Sequence, residues 1–303
     1  MRPLNEGAGF RAGFCAIAGL PNVGKSTLLN RLVGQKLSIV TRKAQTTRQR
    51  LLGIYTDETH QAVFVDTPGL LRPRYLLQQA MLEDAEAAIS GADTLLYVAE
   101  AGYPASLEHA RDFARPQDRP AILCLNKADR VTEAERYELA ETLAGAGWDT
   151  VVSTVASEGR GVDELRAEIL ERLPLSEPLY PLEDLAVAPT RFFVAELVRE
   201  TAFELLAEEV PYAVAVTVES YREPVEDGKP VYVEAVIHVE RPSQKGILIG
   251  ASGAMIRQIG TISRRKIEDL LGQRVYLDLH VKVLRNWRKR EGSLKLLGFQ
   301  RPR

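Results

Sequence analysis

Gly19-Leu-Pro-Asn-Val-Gly-Lys-Ser26 is the stretch on which the reading of the whole chain turns. The apolar run Phe14–Ala18 enters it and the helical pattern Thr27–Leu32 leaves it, so these eight residues join a strand to a helix. That is the setting of a phosphate-binding loop. Its glycines let backbone N–H groups turn inward around a polyphosphate, and the positive end of the following helix points at the same charge. Lys25 is expected to reach the outer phosphates and Ser26 to ligate magnesium, with Gly19, Pro21, Asn22, Val23, Gly24 and Thr27 completing the cradle.

Downstream, Gly34 to Gln49 has little periodicity and reads as a polar loop able to fold over a nucleotide. Its Thr46 and Thr47 are both candidates for the hydroxyl that ligates magnesium while a γ-phosphate is present, with Thr47 slightly favoured. The strand Gln61–Val65 then runs into Asp66-Thr67-Pro68-Gly69. Asp66 at a strand end is expected to hold magnesium through water, and the Gly69 N–H to sense the γ-phosphate. A third apolar strand, Ala121–Leu125, ends in Asn126-Lys127-Ala-Asp129. Two Asp129 carboxylate oxygens match the N1–H and exocyclic amine of guanine, and Asn126 is expected to serve the O6/N7 edge and brace the phosphate loop. Adenine has no matching donor pair, so this element selects GTP over ATP.

In that order, each at a strand end, GLPNVGKS, the Thr-containing loop, DTPG and NKAD resemble the translation-factor class of GTPases. The class usually closes its base pocket with Ser-Ala-x, and the matching Val155-Ala156-Ser157 puts Val where Ser is expected. The Ala156 N–H is then expected to reach the guanine oxygen. Leu70 follows DTPG where many signalling GTPases carry a water-orienting glutamine, so slow intrinsic turnover is expected, with Lys25, Asn22 and Thr47 as the catalytic candidates. In the GTPases this chain resembles, a P-loop asparagine goes with potassium dependence. Asn22 is placed to help ligate such a cation, and equally suited simply to stabilise the loop. Alternating strands and helices from 14 to about 172 imply an α/β fold, a mostly parallel sheet covered on both faces.

The chain of 303 residues is 45% hydrophobic and 26% charged, enough for about two domains with a sizeable core. The first dozen residues lack a signal-peptide pattern and no apolar run reaches membrane-spanning length, so a cytoplasmic protein is expected. Cys15 and Cys124 both lie in apolar strand-like runs and suggest buried thiols. A net charge of −2 hides an asymmetry: residues 244–303 carry 14 of the 39 Lys+Arg and 4 of the 41 Asp+Glu. Such a basic end implies an anionic partner, nucleic acid first and membrane surface second, against a merely solvated face.

Pro174, Pro178, Pro181 and Pro189 break any single helix across that region. They give a GTPase domain over 1–180, a linker over 181–189 and a second domain over 190–303 ending in a basic tail. There the pattern gives a helix from Thr190, strands near 212–222 and 231–239, a short helix after Ser243, a helix over Ala254–Leu271 and a strand over Val275–Val283. The long helix is expected to bury Met255, Ile256, Ile259, Ile262, Ile267 and Leu270. The two last helices are joined by Gly250-Ala251-Ser252-Gly253. This order resembles the prokaryotic, type II, α+β form of KH domain, whose GXXG loop lets an RNA backbone approach closely. Ala251 and Ser252 are neutral, leaving charge to Lys245 beside Gly246, to Arg257 and Arg264, and to a tail in which Trp287, Arg288 and Lys289 are RNA candidates.

A GTPase domain followed by this KH domain resembles the bacterial Era GTPases over essentially the whole chain. Lys43-Ala-Gln-Thr-Thr-Arg48, Glu209-Val-Pro-Tyr212 and Ile249-Gly-Ala-Ser-Gly253 are the runs outside the generic motifs that carry the likeness. The resemblance implies GTP and GDP as ligands with magnesium, a KH domain binding near the 3′ end of 16S rRNA, and a role in maturing the 30S subunit. It also implies peripheral association with the inner face of the cell membrane, and a monomer is expected. A membrane-associated regulatory GTPase whose basic domain contacts lipid or another RNA is the alternative.

Overall fold

The computed structural model describes residues 9–41, 43, 45–224, 226 and 228–299, so Ala44 of the loop run and the end of the tail from residue 300 lie outside it. The chain divides into two compact units, one holding residues 81–187 and those before 73, the other residues 73–80 and those from Ala188. Among the described residues no helix is long and apolar enough to cross a membrane.

The first unit runs β1 (Arg11–Ala18), α1 (Lys25–Val33), β2 (Leu51–Thr56), β3 (His60–Asp66), α2 (Leu76–Gly91, of which the part from Met81 on belongs to this unit), β4 (Thr94–Glu100), α3 (Pro104–Asp112), β5 (Ala121–Asn126), α4 (Glu133–Gly145), β6 (Thr150–Ser153) and α5 (Val162–Glu171). The sheet order is β2-β3-β1-β4-β5-β6, with β2 antiparallel to β3 and every other pair parallel. Buried on both faces, the central strands read as continuous apolar runs, as in Ala-Ile-Leu-Cys-Leu of β5. Cys15 and Cys124 sit there as buried thiols. Ends are set locally. Thr132 and Glu135 form a reciprocal capping box that starts α4, and Gly34, in the left-handed region, ends α1 by donating to the Asn30 carbonyl.

The proline-rich stretch is bonded to this unit well past residue 180. Gln61 Oε1 accepts from the Leu179 and Tyr180 N–H groups at 2.7 and 2.9 Å. Farther on, Ile54 donates to Leu185 O at 2.8 Å and Val187 to Leu52 O at 3.1 Å.

The second unit runs α6 (Thr190–Leu205), α7 (Val210–Ala213), β7 (Ala215–Arg222), β8 (Val231–Val239), α8 (Pro242–Ile249), α9 (Ala254–Leu271), β9 (Val275–Val283) and α10 (Glu291–Leu296). Its sheet, β7-β8-β9, is antiparallel then parallel. Val194 and Val198 of α6, Leu248 of α8, Ile259 and Ile267 of α9 and Val233 and Ile237 of β8 share one core. Val210 to Tyr212, expected to turn directly into a strand, forms a helical turn first, so β7 begins at Ala215. Leu270 is exposed, contrary to expectation; Leu271 packs on the core and the small Ser263 is buried in the middle of the stripe. His238 is largely buried, its Nε2 2.9 Å from the Thr217 hydroxyl across the strands.

Candidate functional site

The site begins where β1 ends. Because β1 pairs β3 on one side and β4 on the other, its outgoing loop lies at the switch point of an open α/β sheet, where a ligand has room. Glycine is obligatory at 24: φ is 103°, and a Cβ would come within 2.3 Å of the Asn126 amide nitrogen. Asn22 takes φ 66°, the left-handed conformation that Asn tolerates. A cleft of about 660 Å³ opens here, lined by Asn22, Lys25, Ser26, Thr27, Thr47 and Lys127 among others.

Lys25 is buried, and its Nζ donates to the Gly19 and Leu20 carbonyls at 3.1 and 3.0 Å. Burial lowers its pKa to about 8, against the opposing pull of Asp66. Asp66, buried at the end of β3, receives three hydroxyls on Oδ2: Ser26 and Ser38 at 2.8 Å each and Thr47 at 3.4 Å. The Ser26 and Thr47 hydroxyls are 2.7 Å apart. Burial raises the Asp66 pKa, while Lys25 and the three hydroxyls oppose it. Its Oδ1 is buried with no hydrogen-bond partner among the described residues. An orphaned carboxylate oxygen costs free energy unless something meets it. Beside two converging hydroxyls, it forms an all-oxygen donor set that fits a hard divalent cation such as magnesium.

The switch residues divide by direction. Thr47 faces Ser26 and Asp66, whereas the Thr46 hydroxyl donates to Lys43 O and lies 2.7 Å from Thr41 Oγ1. Thr67 is buried and donates to Ile17 O at 2.8 Å, and Pro68 is buried beside it. Gly69 lies against Pro21 so closely that a Cβ would stand 2.7 Å from the Pro21 nitrogen. Leu70 donates its N–H to Gly19 O and packs its side chain with Ala18, Leu95 and Tyr97, so it is a core residue of the switch segment.

On the base side one expectation changes. The Asn126 side chain is a brace: Nδ2 donates to Val23 O at 2.8 Å, and Oδ1 accepts from the Thr154 hydroxyl and the Ala156 N–H at 3.0 Å each. Both lone pairs of that oxygen are taken, and the second Nδ2 hydrogen remains as the donor that the accepting O6/N7 edge needs, while the Ala156 N–H expected for guanine is committed to Asn126. Val155 is buried and Ser157 exposed. Lys127 donates to Asn22 O at 2.8 Å and to Glu100 at 2.7 Å, and Arg130 also pairs with Glu100. Asp129 is exposed in the turn that follows.

Three contributors escape sequence reasoning. Glu100 closes β4 and holds Lys127; Arg31 of α1 donates to the Ala156 and Ser157 carbonyls at 3.2 and 2.6 Å; Ser38 joins Asp66. Each pairs with a partner at least 27 residues away in sequence, so no local pattern announces them.

In the second unit the loop between α8 and α9 is open. Gly250 has φ 71° and ψ 174°, with a would-be Cβ 2.9 Å from the Met255 nitrogen, and Ala251 and Ser252 are exposed. Gly253 donates to Gly250 O at 3.1 Å. Gly246, Arg257, Arg264 and Lys289 are exposed and Lys245 half-buried. Trp287 corrects the expected RNA surface: it is fully buried, and its indole N–H donates to Ala213 O at 2.8 Å. Arg288 is likewise turned to a partner, its Nε 3.1 Å from Glu240 Oε2 and its Nη2 2.5 Å from the same oxygen.

This sheet order, with a phosphate loop, a magnesium-type donor set and a base-side turn at adjacent strand ends, defines a P-loop GTPase that carries a KH domain. The model of a 50S ribosome-binding GTPase family matches residues 14–127 and that of the KH domain matches residues 209–288. GTPase Era of Carboxydothermus hydrogenoformans is 43% identical over 296 residues, covering 96% of this chain and 98% of its own, and that of Trichlorobacter lovleyi is 42% identical over 293 residues. Two crystal structures superpose with a TM-score of 0.90 at 36% identity over 96% of this chain and 99% of theirs. One is an Aquifex aeolicus Era variant bound to GDP·AlF4−, the other Era with MgGDPNP and nucleotides 1506–1542 of 16S ribosomal RNA. The chain belongs to the GTPase Era family and is a GTPase.

Proposed function

We propose that this protein is a magnesium-dependent GTP switch that binds small-subunit rRNA near its 3′ end through the α8–α9 loop and assists maturation of the 30S subunit. The observation that carries it is the pairing, in one chain, of two features. One is the Ser26–Thr47–Asp66 cluster in front of a buried Lys25; the other is the Gly250–Gly253 loop with Ala251 and Ser252 exposed. The relative solved with a 16S fragment shares the fold over nearly the full chain and supports the RNA assignment.

Lys25 neutralises phosphate charge, and Ser26, Thr47 and Asp66 would hold magnesium, which when bound offsets charge developing on the phosphates. Leu70 offers no polar atom to an attacking water, so intrinsic turnover is slow and potassium near Asn22 speeds it. Asp129 reads guanine while Asn126 and Lys127 hold the phosphate loop in register with it. The lipid-surface alternative draws on the same basic end, but Trp287 and Arg288 point inward.

Gly253→Asp tests the division of labour, because it puts a side chain and a negative charge where phosphates must pass. Affinity of the full chain for a 3′ 16S fragment should fall strongly, and wild-type affinity should weaken with salt. GDP affinity should stay near wild type. Undiminished RNA binding would move the nucleic-acid site off this loop.

A further inference from the structure

Among the residues gathered on Asp66, Ser38 stands apart in how it is held. Asn30 lies on α1 one turn beyond Ser26, and its side chain clamps the chain that follows the helix. Asn30 Oδ1 accepts from the Leu37 and Ser38 N–H groups, and Nδ2 donates to Ser38 O, each at 2.8 Å. Ser38 is thereby tied to α1 by its own backbone, is buried, and donates its hydroxyl to Asp66 Oδ2 at 2.8 Å. Thr47 reaches the same oxygen at 3.4 Å from the far end of the loop, and its described tie to α1 is through its hydroxyl, 2.7 Å from that of Ser26, with no backbone clamp among the described bonds.

We infer that Ser38 is a positioning residue for the cation site. By donating to Oδ2 from a rigid mount, beside the bond that the Ser26 hydroxyl makes to the same oxygen, it fixes the rotation of the Asp66 carboxylate and so the direction in which the partnerless Oδ1 is presented. The inference rests on the magnesium-dependent GTPase reading and adds to it a residue that acts through Asp66. A hydroxyl mounted on α1 works whether or not the loop holding Thr47 is folded over a γ-phosphate. Ser38 therefore serves the diphosphate and triphosphate states alike, whereas Thr47 serves the triphosphate state. Asn30 acts one step further back.

The test is the magnesium dependence of nucleotide release, measured on the full chain with fluorescent GDP and a fluorescent non-hydrolysable GTP analogue. In the wild type, release should slow as magnesium is titrated in. Ser38→Ala should raise the magnesium midpoint about tenfold with both nucleotides, the loss expected when a hydrogen bond to a charged group is removed. Thr47→Ala should raise it with the triphosphate analogue and leave the GDP midpoint near wild type. Ser38→Thr, which keeps the hydroxyl, should restore most of the midpoint, and Asn30→Ala should shift it in the same direction as Ser38→Ala. Release in excess chelator, which reports the nucleotide site without the cation, should be unchanged in Ser38→Ala. A Ser38→Ala midpoint equal to wild type overturns the inference, and so does a shift confined to the triphosphate. Faster release in chelator as well would make Ser38 a general structural residue and would also overturn it. If wild-type release ignores magnesium altogether, the magnesium-dependent reading itself fails, a result distinct from failure of Ser38 alone. Should Ser38→Ala fail to fold, Asn30→Ala against Ser38→Thr decides the matter by the same midpoints.

Discussion

Raising the pH should loosen the nucleotide through a single ammonium group. Without nucleotide, burial holds Lys25 at about 8, against an ordinary 10.5. A phosphate beside Nζ favours the charged form, so the bound pKa lies higher. Below pH 8 the lysine is protonated in both states and affinity is flat. Above it, the nucleotide-free protein must take up a proton on binding, and the Kd for GDP should rise about tenfold per pH unit. Affinity at pH 9 should thus be roughly tenfold weaker than at pH 7. Stability moves the other way. With the folded pKa lowered, the unfolded chain holds a proton that the folded chain lacks between about 8 and 10.5. Stability of the nucleotide-free protein should therefore rise with pH across that window, by up to about 3 kcal/mol, and the same amount is the cost of the buried charge below it. Fluorescent-GDP titrations and urea unfolding between pH 7 and 9 measure the two trends, with Lys25→Met as the control that should flatten both. A wild-type GDP affinity that does not change between pH 7 and 9 would refute the reasoning.

Asp129→Asn should shift base preference from guanine toward xanthine, because an amide donor would then face the xanthine carbonyl; competition of labelled GDP by each nucleotide reads it. Potassium should accelerate GTP hydrolysis relative to sodium, and Asn22→Ala should abolish the difference in a phosphate-release assay. Thr47→Ala should slow hydrolysis more than Leu70→Ala, while Leu70→Ala should lower stability by about 2–5 kcal/mol because it empties a core position. Trp287→Ala should cost about 3–5 kcal/mol in urea unfolding, since it removes a buried ring and leaves the Ala213 carbonyl unpaired.

The phosphate loop, the DTPG strand end and the order of the second domain were all legible because each is encoded locally. A glycine pattern between an apolar run and a helical period needs no distant partner to be recognised. Ser38 reads as an ordinary loop serine until β3 brings Asp66 beside it. Asn126 was read for two jobs because its chemistry suits both; only the positions of Val23, Thr154 and Ala156 show how much of its side chain the bracing takes. Trp287 misled for an instructive reason. An aromatic among cations is the usual surface for stacking bases, but the carbonyl that claims its N–H belongs to Ala213, 74 residues earlier. At Leu270 the helical period fails by one residue: both leucines border the apolar stripe, and packing chooses Leu271.

The segment that follows α5 bears on how the first domain can be isolated. β2 is the last strand on its side of the sheet, and one of its rims is met by residues 185–187 through the Ile54 and Val187 bonds and the pairing of Gly53 with Ala186. An unpaired strand rim is a template for pairing with other chains, and this piece covers it as a short extra strand would. An excised domain ending at residue 180 would uncover those groups and should self-associate. One ending beyond Val187 keeps its own guard against aggregation.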